Sequence, residues 1–142
     1  PQGPVGPAGS GGSGTTSQST QVTGGPYNTT TSWAGSGVKF TLTSTGKYLI
    51  TCTIGVSLGS ATAGDNVSAR LYNNTDAAPL LGSTFVLDTV VVAMGASHNS
   101  CATIVVIVTT IGPNREIELQ GINVGIPTAD FLLITMTQVQ LA

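Results

Sequence analysis

One histidine, six carboxylates and two cysteines are all that this chain of 142 residues offers for acid–base, metal or thiol chemistry. His98 stands in the polar stretch ASHNS. With no second histidine there is neither an HExxH pair nor a His-rich metal cluster. A Ser-His-Asp relay would have to join His98 to Asp88 and one of many serines, and no GxSxG elbow singles one out. The expectation is a solvent-exposed loop histidine. Three copies meeting at a three-fold axis would change its meaning, because three imidazoles there could respond to pH or hold an ion. Asp65, Asp76, Asp88, Glu116, Glu118 and Asp130 are dispersed and nominate no hydrolase pair. Asp65 and Asp76 fall in loops, where calcium would find carboxylate and backbone oxygens. No other cofactor is expected, no residue is nominated as catalytic, and the chain is read as a non-enzyme.

Cys52 and Cys101 form neither a disulfide framework nor a CxxC motif. Cys52 lies in the apolar register of its segment, which favours a buried free thiol. A Cys52–Cys101 bridge closing a large loop stays open as the alternative. For ligand binding the better candidates are polar and aromatic loop residues: Asn66, Tyr72, Asn73, Asn74 and His98. Saccharides are typically held by amides, hydroxyls and an aromatic face; the same residues are also ordinary turn formers. Asn28, Asn66 and Asn73 each open a glycosylation sequon.

Charge is scarce, with four Lys/Arg against six Asp/Glu and a formal net charge of -2. Lys39, Lys47, Arg70 and Arg115 are too few and too scattered for a nucleic-acid footprint or an electrostatic membrane site. The longest apolar run, ATIVVIV at 102–108, is far short of the roughly 18 residues a membrane-spanning helix needs. Apolar residues make up 40% of the chain and charged ones only 7%, so threonine, serine, asparagine, glutamine and glycine must supply the surface. A surface that neutral is poorly protected against association.

The elements that must carry these residues read as strands. In VKFTL, Val38, Phe40 and Leu42 share one face, and Gly46 then turns the chain. Tyr48, Ile50, Cys52, Ile54, Val56 and Leu58 follow at a period of two, which marks strands with one side in a core. VSARLY at 67–72 puts Val67, Ala69 and Leu71 inward; REIELQ puts Ile117 and Leu119 inward and Glu116, Glu118 and Gln120 toward water. In the last segment Phe131, Leu133, Thr135, Thr137, Val139 and Leu141 are expected on one face, with Leu132, Ile134 and Met136 opening the other. Tyr27 and Trp33 are expected to make the first packed contacts. Turn-rich spacing and the lack of any helical period predict an all-β fold, an antiparallel sandwich or jelly roll. Several segments, CATIVVIVTT among them, are apolar on both faces. An antiparallel sheet normally leaves one face solvated, so partner subunits are expected to cover the surplus.

Ahead of this body, glycines at Gly3, Gly6 and Gly9 repeat as in collagen, where only glycine fits the axis at which three chains meet. Residues 1–14 therefore read as the end of a collagen-like stalk, 15–26 as a polar linker and 27–142 as a head domain. So few triplets cannot repay the cost of ordering, and residues 3–14 are expected to be extended or disordered. The missing initiator methionine points to further chain upstream. Stalk and surplus apolar faces agree on three copies.

With FTLTSTGKYLITCTIGVSL, whose Phe40, Gly46, Tyr48 and Ile50 match a paired-strand pattern, and a closing FLLITMTQVQLA with Phe131 just inside it, the chain resembles the C1q/TNF-like superfamily. In particular it resembles the collagen-stalked C1q-like head domains of bacterial and bacteriophage surface fibres. The likeness covers roughly residues 38–142. Its last strand departs from the phenylalanine- and glycine-rich closing strand of eukaryotic members. The resemblance implies a ten-stranded jelly roll in a tight homotrimer that nucleates and caps a collagen stem, with roles in recognition and structure. Expected partners are two further copies of the chain, a capsid or surface-layer component reached through the stalk, and a host-surface glycan; nucleic acid and membrane insertion are not expected. The expected location is a virion surface, with a spore, cell or other extracellular surface as the alternative. The corresponding alternative function is a receptor- or carbohydrate-binding adhesin head.

Overall fold

A computed structural model describes Gly3 and residues 19–59, 62–90, 98–126 and 129–141. The expectations for the stalk at 1–14 otherwise lie outside the described residues. Ten strands follow in chain order: β1 (Ser19–Gly24), β2 (Tyr27–Asn28), β3 (Ala34–Leu42), β4 (Gly46–Leu58), β5 (Asn66–Asn73), β6 (Ala78–Pro79), β7 (Phe85–Thr89), β8 (His98–Ile111), β9 (Arg115–Val124) and β10 (Ala129–Gln140). They form two antiparallel sheets. The first runs β1-β10-β4-β8, with β2 continuing β1 along the same edge of β10; the second runs β3-β9-β5-β6, with β7 beside β6 on the edge of β5. From β3 to β5, and again from β8 to β10, the chain alternates between the sheets. This is the expected all-β jelly-roll sandwich.

The period of two decides the core. Val38, Phe40 and Leu42 of β3, every second residue of β4 from Tyr48 to Leu58, Val67, Ala69 and Leu71 of β5, and Ile117 and Leu119 of β9 are all buried between the sheets. Alternate side chains leave opposite faces of a strand, so the residues between them form the two outer surfaces. On β8, Ile104 and Val106 point inward while Val105 and Ile107 stand outward, 56% and 57% exposed. Tyr27 packs against Phe131 with ring centroids 5.6 Å apart, which is the early packed contact expected of it.

Two expectations are corrected. The linker at 15–26 is not a linker over Ser19–Gly24: β1 pairs with β10 from Ser19↔Val139 to Gly24↔Ile134. Its polar composition suits an edge strand, whose backbone is satisfied by the ladder on one side. The second correction falls on β10. Phe131 does not share a face with Leu133 but is fully buried, in line with Ile134 and Met136. The register against β4 passes from Phe131↔Val56 to Leu133↔Gly55, leaving Leu132 as the extra residue of a β-bulge. One inserted residue moves every later side chain to the other face. Leu133, Thr135, Thr137 and Val139 thus remain together on the outside while Phe131 crosses into the core.

Candidate functional site

The outer surface of the second sheet holds the densest set of interacting polar and aromatic groups. Because Leu71, Ile117 and Leu119 face the core, Arg70 and Tyr72 of β5 and Glu116, Glu118 and Gln120 of β9 face out. The ladder sets Arg70 opposite Gln120 and Tyr72 opposite Glu118. Trp33 joins them from the residue before β3, whose first member Ala34 pairs with Gly121. The Arg70 guanidinium carbon lies 4.3 Å from the Trp33 ring centroid and 4.9 Å from that of Tyr72. Both distances are within cation–π range. Arg70 Nε donates to Gln120 Oε1 at 2.8 Å.

Beside this stack the carboxylates are organised by amide donors. Asn74 Nδ2 donates to Glu116 Oε1 at 2.9 Å and to Glu118 Oε2 at 2.6 Å. The Gly37 amide donates to Glu118 Oε1 at 2.8 Å, and Lys39 Nζ meets Glu116 Oε1 at 3.1 Å. The Asn74 hydrogen bond, then that of Lys39, hold the Glu116 carboxyl below the usual glutamate range. Burial, helped by the negative charge of Glu118, pushes the Tyr27 phenol up. A Cβ at Gly35 would meet the Glu118 carboxylate, so a side chain there would push that carboxylate aside.

The residues nominated for ligand binding do not form one loop cluster. Asn66, Tyr72 and Asn73 lie within β5, Asn74 in the turn after it and His98 at the start of β8. Asn66 and Asn73 are the two ends of an eight-residue strand, roughly 24 Å apart at strand rise, so Asn66 cannot share a small ligand with Tyr72 or Asn74. Asn73 is buried and spent on a turn: its Oδ1 accepts from the Asp76 amide at 3.0 Å and its Nδ2 donates to Asp76 Oδ2 at 2.8 Å. Tyr72 and Asn74 are the two that fall on the polar surface. Sequence reading missed Trp33, Arg70 and Gln120 as members. Arg70 and Tyr72, two apart in a strand, were a legible outward pair, whereas nothing local tells that Trp33 reaches them.

His98 does meet Asp88 and a serine, though not in relay order. Ser100 Oγ donates directly to Asp88 Oδ2 at 2.7 Å, and His98 Nε2 stands 3.5 Å from that same oxygen. A relay needs the imidazole between hydroxyl and carboxylate. Asp65 and Asp76 flank opposite ends of β5 and cannot share a calcium ion. Asp65 Oδ2 accepts from the Thr62 amide and hydroxyl, and Asp76 Oδ2 from Arg115 Nε. Among the described residues no three His, Cys, Asp or Glu side chains are grouped to hold a metal. Both cysteines are free: Cys52 is buried, its thiol pushed up to about 12 by burial, and Cys101 is exposed.

The outer surface of the first sheet is of another kind. Thr23, Thr135, Thr53 and Thr103 form one row across four strands, and Gln21, Thr137, Thr51 and Val105 form the next. Ile107, Leu49 and Val139 extend it on one side, Cys101, Gly55 and Leu133 on the other. None of these residues carries a charge.

The chain matches no family model, and no curated protein matches it in sequence. Several solved structures resemble it in part. An Eiger TNF from S. frugiperda is 7% identical, with 86% of this chain and 92% of that chain covered at a TM-score of 0.44. A chain of infectious bursal disease virus, Gx strain, is 12% identical over 89% of this chain at a TM-score of 0.41, and this chain spans only 37% of its length. The Bacillus endospore appendages, a family of disulfide-linked pili, are 13% identical with 89% of each chain covered at a TM-score of 0.37. With these TM-scores below 0.5, the fold rests on the strands and sheets described above.

Proposed function

We propose that this chain is a non-enzymatic, homotrimeric fibre head that registers and caps a collagen-like stalk on a virion surface. The observation that carries the reading is the middle of the outer face of the β1-β10-β4-β8 sheet, whose rows hold no charged residue between Lys47 at one end and Asp130 at the other. These rows of threonine, valine, isoleucine and leucine gain from burial at roughly 25 cal/mol per Å² of apolar area, and they present no charge that burial would strand. Its occupants are two further copies of the chain, because the Gly3, Gly6 and Gly9 spacing demands three strands. The C1q/TNF-like resemblance supplies the same number. The charge-poor surface suits packing into a repeating shell, which favours a virion over a spore or cell surface. The test is mass in solution by light scattering: three times the 14.2 kDa chain is expected, and a clean monomer would overturn the assembly.

The adhesin reading is favoured by a separate observation, the Trp33, Arg70 and Tyr72 stack on the opposite sheet. A head trimerised through the first sheet would carry three copies of this stack outward.

A further inference from the structure

We propose that the Trp33–Arg70–Tyr72 stack is a binding site for a sugar acid, whose carboxylate seats on the free edge of the Arg70 guanidinium. The inference deepens the adhesin reading by naming a ligand class, and it does not depend on the trimer. The ladder places Trp33 and Tyr72 on opposite sides of Arg70 along the strands, and both rings lie within cation–π range of its guanidinium. Its Nε is taken by Gln120. What remains to meet a ligand is the in-plane edge formed by the two terminal nitrogens. That edge matches a carboxylate bidentately. Arg70 has no carboxylate partner among the described residues, whereas Lys39 and Arg115 are paired with Glu116 and Asp76.

The groups around the guanidinium select what the carboxylate is attached to. The Trp33 indole N–H, the Tyr72 hydroxyl and the Gln120 amide N–H groups have no acceptor among the described residues, so unused donors surround a single cation. Hydroxyl and ring oxygens are what such donors take up, and an aromatic face turned away from the cation packs against sugar C–H groups. Lys39 is already paired with Glu116, so Arg70 is the one cation of this surface without a carboxylate partner among the described residues and a second ligand charge would find no partner beside it. A polysulfate or phosphorylated chain is thereby disfavoured, and a monosaccharide unit bearing one carboxylate fits.

Trp33 is the only tryptophan, so its emission reports the site directly. The intact chain is titrated with N-acetylneuraminate and with glucuronate. The control ligands are the methyl ester of each acid, sodium acetate and a short peptide with a free C-terminal carboxylate. A saturable change in Trp33 emission is expected with at least one of the two acids. Its own ester and acetate should bind at least about tenfold more weakly, the loss expected for removing a charge-assisted bidentate contact. Arg70→Lys keeps the charge but not the fork, and is expected to weaken binding of that acid by a similar factor with an unchanged circular dichroism spectrum. Three results would overturn the proposal: no saturable change with either acid, equal affinity for ester or acetate, or tighter binding of the peptide. Should Arg70→Lys fail to fold, the ester comparison on the unaltered chain decides. Light scattering on the same sample keeps failure of the site distinguishable from failure of the trimer.

Discussion

Phe131 occupies the space that a side chain on Gly121 would need. A Cβ at Gly121 would stand 2.7 Å from Cε2 and 2.8 Å from Cζ of the ring, and 3.0 Å from Thr29 Cγ2. The two residues belong to different sheets, β9 and β10, and the Phe131 ring is wholly enclosed. Gly121→Ala is therefore expected to lower the unfolding free energy by about 1–3 kcal/mol, as overpacking a dense core does. Urea denaturation checks it, and an unchanged midpoint would mean that the ring moves aside at no cost.

Val105→Asp and Ile107→Asp place charge on the charge-free middle rows of the outer face of the first sheet. Both residues are more than half exposed, so each substitution should change protomer stability by about 1 kcal/mol or less. Self-association should fall sharply, because each copy would bury an unpaired carboxylate. Sedimentation velocity should find a folded monomer; a persisting trimer would place the interface elsewhere.

The two thiols should respond oppositely. Burial pushes the Cys52 thiol up to about 12, so at neutral pH it is protonated and enclosed and should react only on unfolding. Cys101 is exposed in the protomer but lies on the proposed interface, so it should be shielded in the trimer and labelled quickly in Val105→Asp. The raised value also sets a sign. The stability that Cys52 contributes is complete below the ordinary cysteine range and is lost as pH rises toward about 12. Alkaline unfolding of Cys52→Val should accordingly be less steep than that of the parent.

Glu116 carries the opposite sign. Asn74 and Lys39 hold its carboxyl below the usual glutamate range, so its contribution is present above that range and lost as pH falls through the lowered value. The stability gap between the parent and Glu116→Gln should be open at neutral pH and close on acidification. A gap independent of pH would show that the ionised carboxylate contributes nothing.

Gln138 faces inward on β10, 2% exposed. Its Nε2 donates to Thr20 Oγ1 at 3.1 Å, while its Oε1 has no partner among the described residues. A buried acceptor without a donor costs about 1–3 kcal/mol. Gln138→Met, of similar length and without that atom, should raise the unfolding free energy by about 1 kcal/mol; a loss of that size would mean the Thr20 bond outweighs the orphan.

How far the fold could be read ahead of the structure depended on how local each cause was. Val38, Phe40 and Leu42, and the six alternate residues from Tyr48 to Leu58, are buried as their spacing predicts, because side-chain alternation follows from strand geometry alone. The same spacing failed at Phe131, because a bulge changes parity without changing composition. It failed at Ser19–Gly24, a polar segment made a strand by the β10 edge it meets. The candidate site lies further out of reach. Trp33 and Arg70 stand 37 positions apart in the chain, and the bond from Gly37 to Glu118 spans 81.

Most of the strands, most of the inward side chains, the all-β class and the scarcity of basic residues were therefore properties of residue type and period. Which polar residues stand together was decided by the register of β3, β9 and β5. That register alone puts a guanidinium between two rings and gathers two carboxylates around one amide. The physical reason is that burial responds to each residue's own chemistry, whereas a site is a set of distances between strands remote in the chain. Only the closing of both sheets around one core sets those distances.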